Sequence, residues 1–402
     1  MKTRLGSLAT LALTLSLALP VSAQETPFPE PDNAALDYWR AFSQMSEPAD
    51  DLAEAVSDVV RGEAAYDDAR LGEYLAANQA ALAEFEKGAR LDRCDFGLRY
   101  EEGPAILLPH LAKARSLARL AILDGKRAES HGKWGQAFDR YLATVRLARH
   151  MDQDRILIST LVAISLSGLA FDAVAGALDR APEDADLLRR LGTELALLDG
   201  HVVNAAAAVR MEGRAFSAYF RSVPPEQIAR DAGLLGPGGT DDEETIQKLA
   251  RDLGVDPETL KSEKFWSEGL DDYEKWVAAV ADLLEKPWHE SRERLQELED
   301  EAAAKTSHPF LKLLAPALVK VADRAAEIAV KVRMVRVLAA LALARAEGGT
   351  LPESLDGIEF ATDPAAGKPF VWRREEGAAV LESVFQDGAG KGIAYRLGEK
   401  RK

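Results

Sequence analysis

The chain has 402 residues and a formal net charge of −16 at pH 7, from 50 basic and 66 acidic residues. This charge excludes a general nucleic-acid-binding protein, because such proteins present basic surfaces to phosphate. The hydrophobic share of 47% is too high for a disordered chain. A single cysteine, Cys94, excludes an intramolecular disulfide framework, a cysteine-based zinc site and an iron–sulfur cluster.

The first 23 residues have the three parts of a secretory signal peptide. Lys2 and Arg4 form a positive region, residues 5–19 are apolar, and Val21-Ser22-Ala23 is a small-residue cleavage site. The apolar run is shorter than the roughly 20 residues that a membrane span needs. We therefore expect a periplasmic or secreted protein that begins at Gln24 and keeps no transmembrane segment after cleavage.

The remaining chain divides by composition into five segments. Residues 24–32 contain three prolines and predict an extended tether. Beyond them, apolar residues recur at helical spacing, which predicts an N-terminal helical domain over residues 33–221. The prolines and glycines of residues 222–242 predict a linker or long loop. Helical periodicity resumes over residues 243–347, and residues 348–402 predict a small β-containing module.

The clearest helical hairpin lies in residues 105–151. Apolar and small residues follow one face of each helix, and Gly132–Gly135 breaks the pattern between the helices. Small residues opposite large ones allow two antiparallel helices to approach closely. The first face comprises Leu107, Leu111, Ala114, Ala118, Ala121 and Ala128, and the second comprises Trp134, Ala137, Tyr141, Val145 and Ala148.

Two further segments carry structural predictions. Residues 156–171 contain no charged residue, which favours a helix buried on all sides over a membrane span, because the run is short and holds four hydroxyl side chains. We expect Leu161 at the centre of that core. Near the C-terminus, apolar runs predict strands at residues 370–372 and 379–381, and a last strand at residues 393–397.

Signatures of known catalytic classes are missing from the sequence. It contains no glycine-rich dinucleotide motif, no phosphate-binding loop, no HExxH motif and no GxSxG motif. We therefore predict no catalytic residue, no metal site and no cofactor. Whether the protein is an enzyme stays open, and the sequence favours a protein that is not one.

Five polar residues form a candidate ligand-binding set: Cys94, Asp95, His110, Arg115 and His150. Counted outward from the turn, Arg115 and His150 lie at the same level of the hairpin. His110 lies about 7 Å farther out at 1.5 Å per residue, and Cys94 and Asp95 precede the hairpin. One interpretation is a polar pocket for an anion or a small polar ligand. The other is helix capping, because cationic side chains stabilise a helix C-terminus.

Residues 113–155 carry ten basic and five acidic residues, in contrast to the acidic chain as a whole. This excess could meet an acidic partner, or it could pair with acidic segments of the same chain. Helical arrays bind partners along extended surfaces. The leading functional prediction is a non-enzymatic interaction protein of the cell envelope with a protein partner and no nucleic-acid partner. The alternative is a small-ligand-binding protein or enzyme that uses the five-residue set.

Parts of the chain resemble three groups of proteins. Residues 128–148 (AESHGKWGQAFDRYLATVRLA) resemble the second half of a tetratricopeptide repeat, with Gly132, Ala137 and Tyr141 at familiar positions. A C-terminal stretch (GGTLPESLDGI…TDPAAGKPFVWRR, 348–374) is loosely similar to the C-terminal part of type II secretion pseudopilins. That stretch also looks like the C-terminal module of a group of uncharacterised exported bacterial helical proteins. Three other stretches resemble the same group: CDFGLRYEEGPAILLPHLAKARSLARL (94–120), GKWGQAFDRYLATVRLARH (132–150) and DRILISTLV (154–162).

These resemblances imply a helical-repeat fold and an envelope location, and they imply no known activity. Together with the periodicity, they lead to one expected fold class. We expect an all-α array of antiparallel helical hairpins, similar in part to tetratricopeptide repeats, with a small β-containing C-terminal module.

Overall fold

The computed structural model describes residues 31–200, 202–231, 243–304, 308–358, 360–386 and 390–399. The predicted signal peptide, most of the predicted tether and residues 232–242 of the predicted linker lie outside the described residues. Within the described chain there are fourteen α-helices and five short strands. This confirms the all-α class with a small β-containing C-terminal module.

Eight helices end before residue 200 and six begin after it, one of them inside the predicted linker region of residues 222–242. The first eight are α1 (Ala34–Gln44), α2 (Asp50–Arg61), α3 (Asp68–Ala77), α4 (Gln79–Gly88), α5 (Pro109–Ser130), α6 (Trp134–Asp152), α7 (Leu157–Arg180) and α8 (Ala185–Leu198). The other six are α9 (Ala205–Ser222), α10 (Pro225–Asp231), α11 (Glu243–Leu253), α12 (Glu263–Leu284), α13 (Trp288–Ala303) and α14 (Pro309–Gly348). Short 3-10 helices occupy Tyr100–Ala105 and Pro257–Lys261.

The hairpin predicted in residues 105–151 is present as α5 and α6. The turn between them contains Gly132, whose φ of +70° is readily adopted by glycine. The two helices approach closely at Gly125, where an added Cβ would lie 2.3 Å from Cε1 of Tyr141. Leu107 was expected on the packed face, but this expectation was wrong. It lies before the first residue of α5 and is 77% exposed.

The apolar side chains form two hydrophobic cores. Helices α1–α8, the second half of α14 and the β module surround the first core. The second core is formed mainly by α9–α13 and by Val321 and Ala322 of α14. In this second core α9 packs on α12, where a Cβ at Gly213 would lie 2.6 Å from Cγ1 of Val277. Since α14 contributes to both cores, it joins the two halves of the helical array.

Helix α7 packs against α6 and α14, and most of its side chains are buried. Among the described helices it is the one long and apolar enough to cross a membrane, yet 72% of its most apolar 18-residue stretch is buried inside the protein. The expectation of burial on all sides was wrong. Ile158 is 55% exposed and Leu161 is 38% exposed, because the surrounding helices leave one strip of α7 uncovered.

The C-terminal module contains the three predicted strands. They are β3 (Val371–Glu375), β4 (Ala378–Gln386) and β5 (Gly392–Gly398), paired antiparallel in the order β3-β4-β5. Two further strands of two residues each were not predicted: β1 (Thr362–Asp363) and β2 (Lys368–Pro369). Strand β5 lies against α7, where Tyr395 Oη donates to Asp172 at 2.6 Å and the Gly398 N–H donates to Asp179 at 2.6 Å.

Candidate functional site

His150 lies in the last turn of α6 and is almost fully buried. Its Nε2 is 2.9 Å from the carbonyl oxygen of Leu91, and its Nδ1 is 2.7 Å from Oη of Tyr38. Because a carbonyl only accepts, Nε2 carries the proton and Nδ1 accepts from the Tyr38 hydroxyl. Burial lowers the pKa of His150 to about 4, so the ring is neutral at pH 7.

His110 lies in the first turn of α5 and is also buried. Its Nε2 is 2.8 Å from Oδ2 of Asp154, and the Phe96 ring stacks on it at 4.0 Å between centroids. The same carboxylate oxygen accepts from Oγ of Ser159 at 2.7 Å. Because the serine donates to the carboxylate instead of the imidazole, these residues do not form a nucleophile–base pair. His110, Asp154 and Ser159 are also all buried, so a substrate does not reach them.

Cys94 and Asp95 lie in the loop before α5. The Cys94 N–H donates to Oε1 of Gln153 at 2.7 Å. Burial, with smaller contributions from nearby carboxylates, raises the pKa of the Cys94 thiol, which makes it a poor nucleophile. Asp95 pairs with the side chain of Asn33, since its N–H donates to Oδ1 at 2.8 Å and its carbonyl accepts from Nδ2 at 2.9 Å. This pair ties the start of α1 to the loop.

Four residues of the candidate set therefore lie around the open end of the hairpin. Gln153 and Asp154 follow directly after α6 and hold two of the four residues there, since Gln153 binds Cys94 and Asp154 binds His110. Sequence reasoning did not select Tyr38, Gln153 or Asp154. Tyr38 and His150 are 112 positions apart in the chain, so no local spacing pattern links them. We call these four residues and their partners the polar cluster.

Arg115 is separate from the polar cluster. It follows the buried Ala114 by one position, so its side chain lies about 100° around α5 from the packed face. There it is exposed and forms no hydrogen bond or ion pair within the described residues. The expectation that Arg115 shares a pocket with the two histidines therefore finds no support in this geometry.

Arg115 lines a cleft of about 500 Å³ between α2, α5, α7 and α14, which we call the α7 cleft. Leu161 forms part of its apolar lining, and Arg119 lies one helical turn from Arg115. Both acidic lining residues are paired, Asp172 with Lys331 at 3.0 Å and Glu327 with Arg324 at 2.8 Å. Its charged lining residues are Arg61, Arg115, Arg119, Asp172, Arg324, Glu327 and Lys331.

The basic excess of residues 113–155 is divided between internal pairs and free cations. Five of its ten basic residues form ion pairs: Lys113 with Glu47, Lys126 with Glu129, Arg127 with Asp68, Arg140 with Glu86 and Asp124, and Arg146 with Glu194. Among the residues that the structure describes, the other five have no such partner: Arg115, Arg119, Lys133, Arg149 and Arg155.

A second and larger cleft, of about 810 Å³, lies between the two hydrophobic cores. Its walls come from the end of α6, the start of α9, the turn between α12 and α13, the middle of α14, and the β1–β2 pair. We call it the junction cleft. No sequence pattern identified it, because its walls come from five separate parts of the chain.

Within the described ranges, no group of three or more His, Cys, Asp or Glu side chains is placed to hold a metal ion. Comparisons with protein-family models, curated proteins and solved structures found no significant match.

Proposed function

We propose that this protein is an exported, non-enzymatic interaction protein of the cell envelope that binds a protein partner along the α7 cleft. The observation that carries the proposal is the position of Arg115 and Arg119. Within the part of the chain that the structure describes, these two cations have no ion-pair partner, and they lie one turn apart in a cleft that also contains the exposed apolar side chain of Leu161.

The chemistry of this cleft favours an acidic, partly apolar segment of a partner. The chain as a whole is strongly acidic, so two free arginines form a local positive site that attracts negative charge. Covering the exposed part of Leu161 in the cleft, and of Ile158 one turn before it on α7, removes apolar surface from water, which is worth about 25 cal/mol per Å². Arginine beside apolar surface is a combination enriched at protein interfaces. A helix with acidic and apolar residues on one face fits such a groove.

The polar cluster supports binding over catalysis. The nucleophilic atoms of Cys94 and Ser159 are buried, and His150 uses both ring nitrogens for structural hydrogen bonds. An active site instead needs titratable groups that reach a substrate in a cleft. The polar cluster therefore favours the helix-capping interpretation, in which these residues hold the open end of the hairpin together.

The envelope location rests on the signal-peptide pattern of residues 1–23. N-terminal sequencing of the exported protein is expected to begin at Gln24. An intact Met1 in a membrane fraction would contradict the proposal.

Site-specific photo-crosslinking tests the binding surface. A photoreactive residue replaces either Leu161 in the α7 cleft or Leu197 on α8, a matched control that is 64% exposed. In envelope extract we expect a discrete crosslinked partner from position 161 and none from position 197. Reversing two charges by Arg115→Glu and Arg119→Glu should abolish that crosslink. Equal crosslinking at both positions, or a crosslink that survives charge reversal, would overturn the proposal.

A further inference from the structure

The junction cleft has the size and lining of a small-molecule site. Its volume of about 810 Å³ falls within the roughly 300–1,000 Å³ of ligand pockets. Small and branched apolar side chains of α9, α13 and α14 form much of its wall, and Trp288 lies at the α12–α13 turn. Its apolar lining residues include Val202, Val203, Leu284, Leu295, Ile328 and Val332.

The acidic groups of the junction cleft are already occupied. Asp152 accepts from Oγ1 of Thr160 and from the N–H of Asn204, both at 2.7 Å. The Asp363 carboxylate is buried and accepts three hydrogen bonds, from the N–H groups of residues 365 and 384 and from the hydroxyl of residue 383. Glu285 is paired with Arg210. Within the described residues, each of these carboxylates therefore already accepts hydrogen bonds or forms an ion pair inside the chain.

Several neutral polar groups in the lining are also used internally. The Gln153 amide binds the Cys94 N–H and the carbonyl of Asp92. The Trp288 indole N–H donates to Asp323 at 3.1 Å. Among the cations of the lining, Arg333 is neutralised, because it forms an ion pair with Asp199 at 2.7 Å.

Two lining cations remain free. Arg149, near the end of α6, and Lys286, in the turn after α12, are exposed, and their side chains have no hydrogen bond or ion pair within the described residues. The side chains of Arg149 and Lys286 can only donate hydrogen bonds, so a ligand that binds them must supply acceptor atoms. An anionic group supplies such acceptors and also neutralises the two charges.

We propose that the junction cleft binds a single-chain amphiphile with an anionic head group, of the fatty-acid class. The head group binds Arg149 and Lys286, and the hydrocarbon chain lies against the apolar side chains of α9, α13 and α14. This site is separate from the α7 cleft, so the proposal stands whether or not a protein partner binds there.

Calorimetric titration of the purified protein with three ligands of one chain length tests the proposal. Dodecanoate, dodecanol and dodecyltrimethylammonium, each below its micellar concentration, carry a negative, a neutral and a positive head. We expect dodecanoate to bind at least about tenfold more tightly than dodecanol, and the cationic amphiphile to bind most weakly. Equal affinity for all three, or no binding of dodecanoate, would overturn the proposal.

Variants then locate the site. The double variant Arg149→Gln/Lys286→Gln should lower dodecanoate affinity by about tenfold or more while leaving dodecanol unchanged. Ala329→Trp, in the α14 wall, should weaken binding of both ligands. The matched control Arg115→Gln/Arg119→Gln removes two cations from the α7 cleft and should leave both affinities unchanged. Dodecanoate affinity that is insensitive to the first double variant would contradict the assigned head-group site.

Discussion

Acidification is expected to weaken the fold through His150. Its ring nitrogens accept from Tyr38 and donate to Leu91, an arrangement that requires the neutral ring. The pKa of His150 is lowered from 6.5 to about 4 by burial in the folded protein. In the unfolded chain the ring takes up a proton near pH 6.5, whereas in the folded protein it does so near pH 4.

The sign and size of the effect follow from this difference. The contribution of His150 to stability is fully present above pH 6.5, declines as the pH falls, and is lost near pH 4. The interval between the two pKa values corresponds to about 3 kcal/mol at about 1.4 kcal/mol per pH unit. That loss is a large part of the roughly 5–15 kcal/mol by which domains are stable.

Urea unfolding followed by circular dichroism between pH 7 and pH 4 measures this contribution. The informative quantity is the free energy of unfolding of the wild type minus that of His150→Gln. We expect this difference to shrink by about 3 kcal/mol on acidification. His131→Gln, which removes an exposed histidine at the turn of the same hairpin, is the control. A difference that is constant with pH, or an NMR titration of His150 centred near pH 6.5 in the wild type, would refute the reasoning.

Three further outcomes test the packing and the polar cluster. Val162→Asp should unfold the protein, because it buries an unpaired charge at a cost of several kcal/mol, whereas Leu161→Asp at the exposed strip should change the melting temperature little. Gly125→Ala places a methyl group 2.3 Å from a ring carbon of α6, and it should lower the free energy of unfolding, measured by calorimetry, by about 1–3 kcal/mol. Gly192→Ala, which has open space around it, should not destabilise the protein. Cys94 should react with a thiol reagent at the rate of global unfolding, and rapid reaction in native buffer would contradict its burial.

Local patterns in the sequence were sufficient to predict the hairpin and the β module. The α5–α6 hairpin follows from 3.6-residue periodicity interrupted at Gly132, and strands β3 and β4 follow from two short apolar runs. Such signals depend on neighbours within a few residues of each other. The fold class and the longer elements were therefore within reach of sequence reasoning, whereas the two-residue strands β1 and β2 were not.

Side-chain direction and long-range partners were not predictable in this way. Equal distance from the turn placed Arg115 and His150 at one level, but it did not specify their directions around each helix. The absence of charge in residues 156–171 indicated burial, yet it did not reveal that neighbouring helices leave Leu161 exposed. Both clefts combine distant segments, so no local pattern encodes them.

The Arg115→Ala variant tests the central claim most directly, because a docking residue and a structural residue respond in opposite ways. Its thermal unfolding is measured alongside its partner crosslink from position 161 in envelope extract. We predict an unchanged melting temperature and a strongly reduced crosslink. A stability loss of about 1 kcal/mol with an undiminished crosslink would show that Arg115 supports the fold instead of the partner, and would contradict the proposed function.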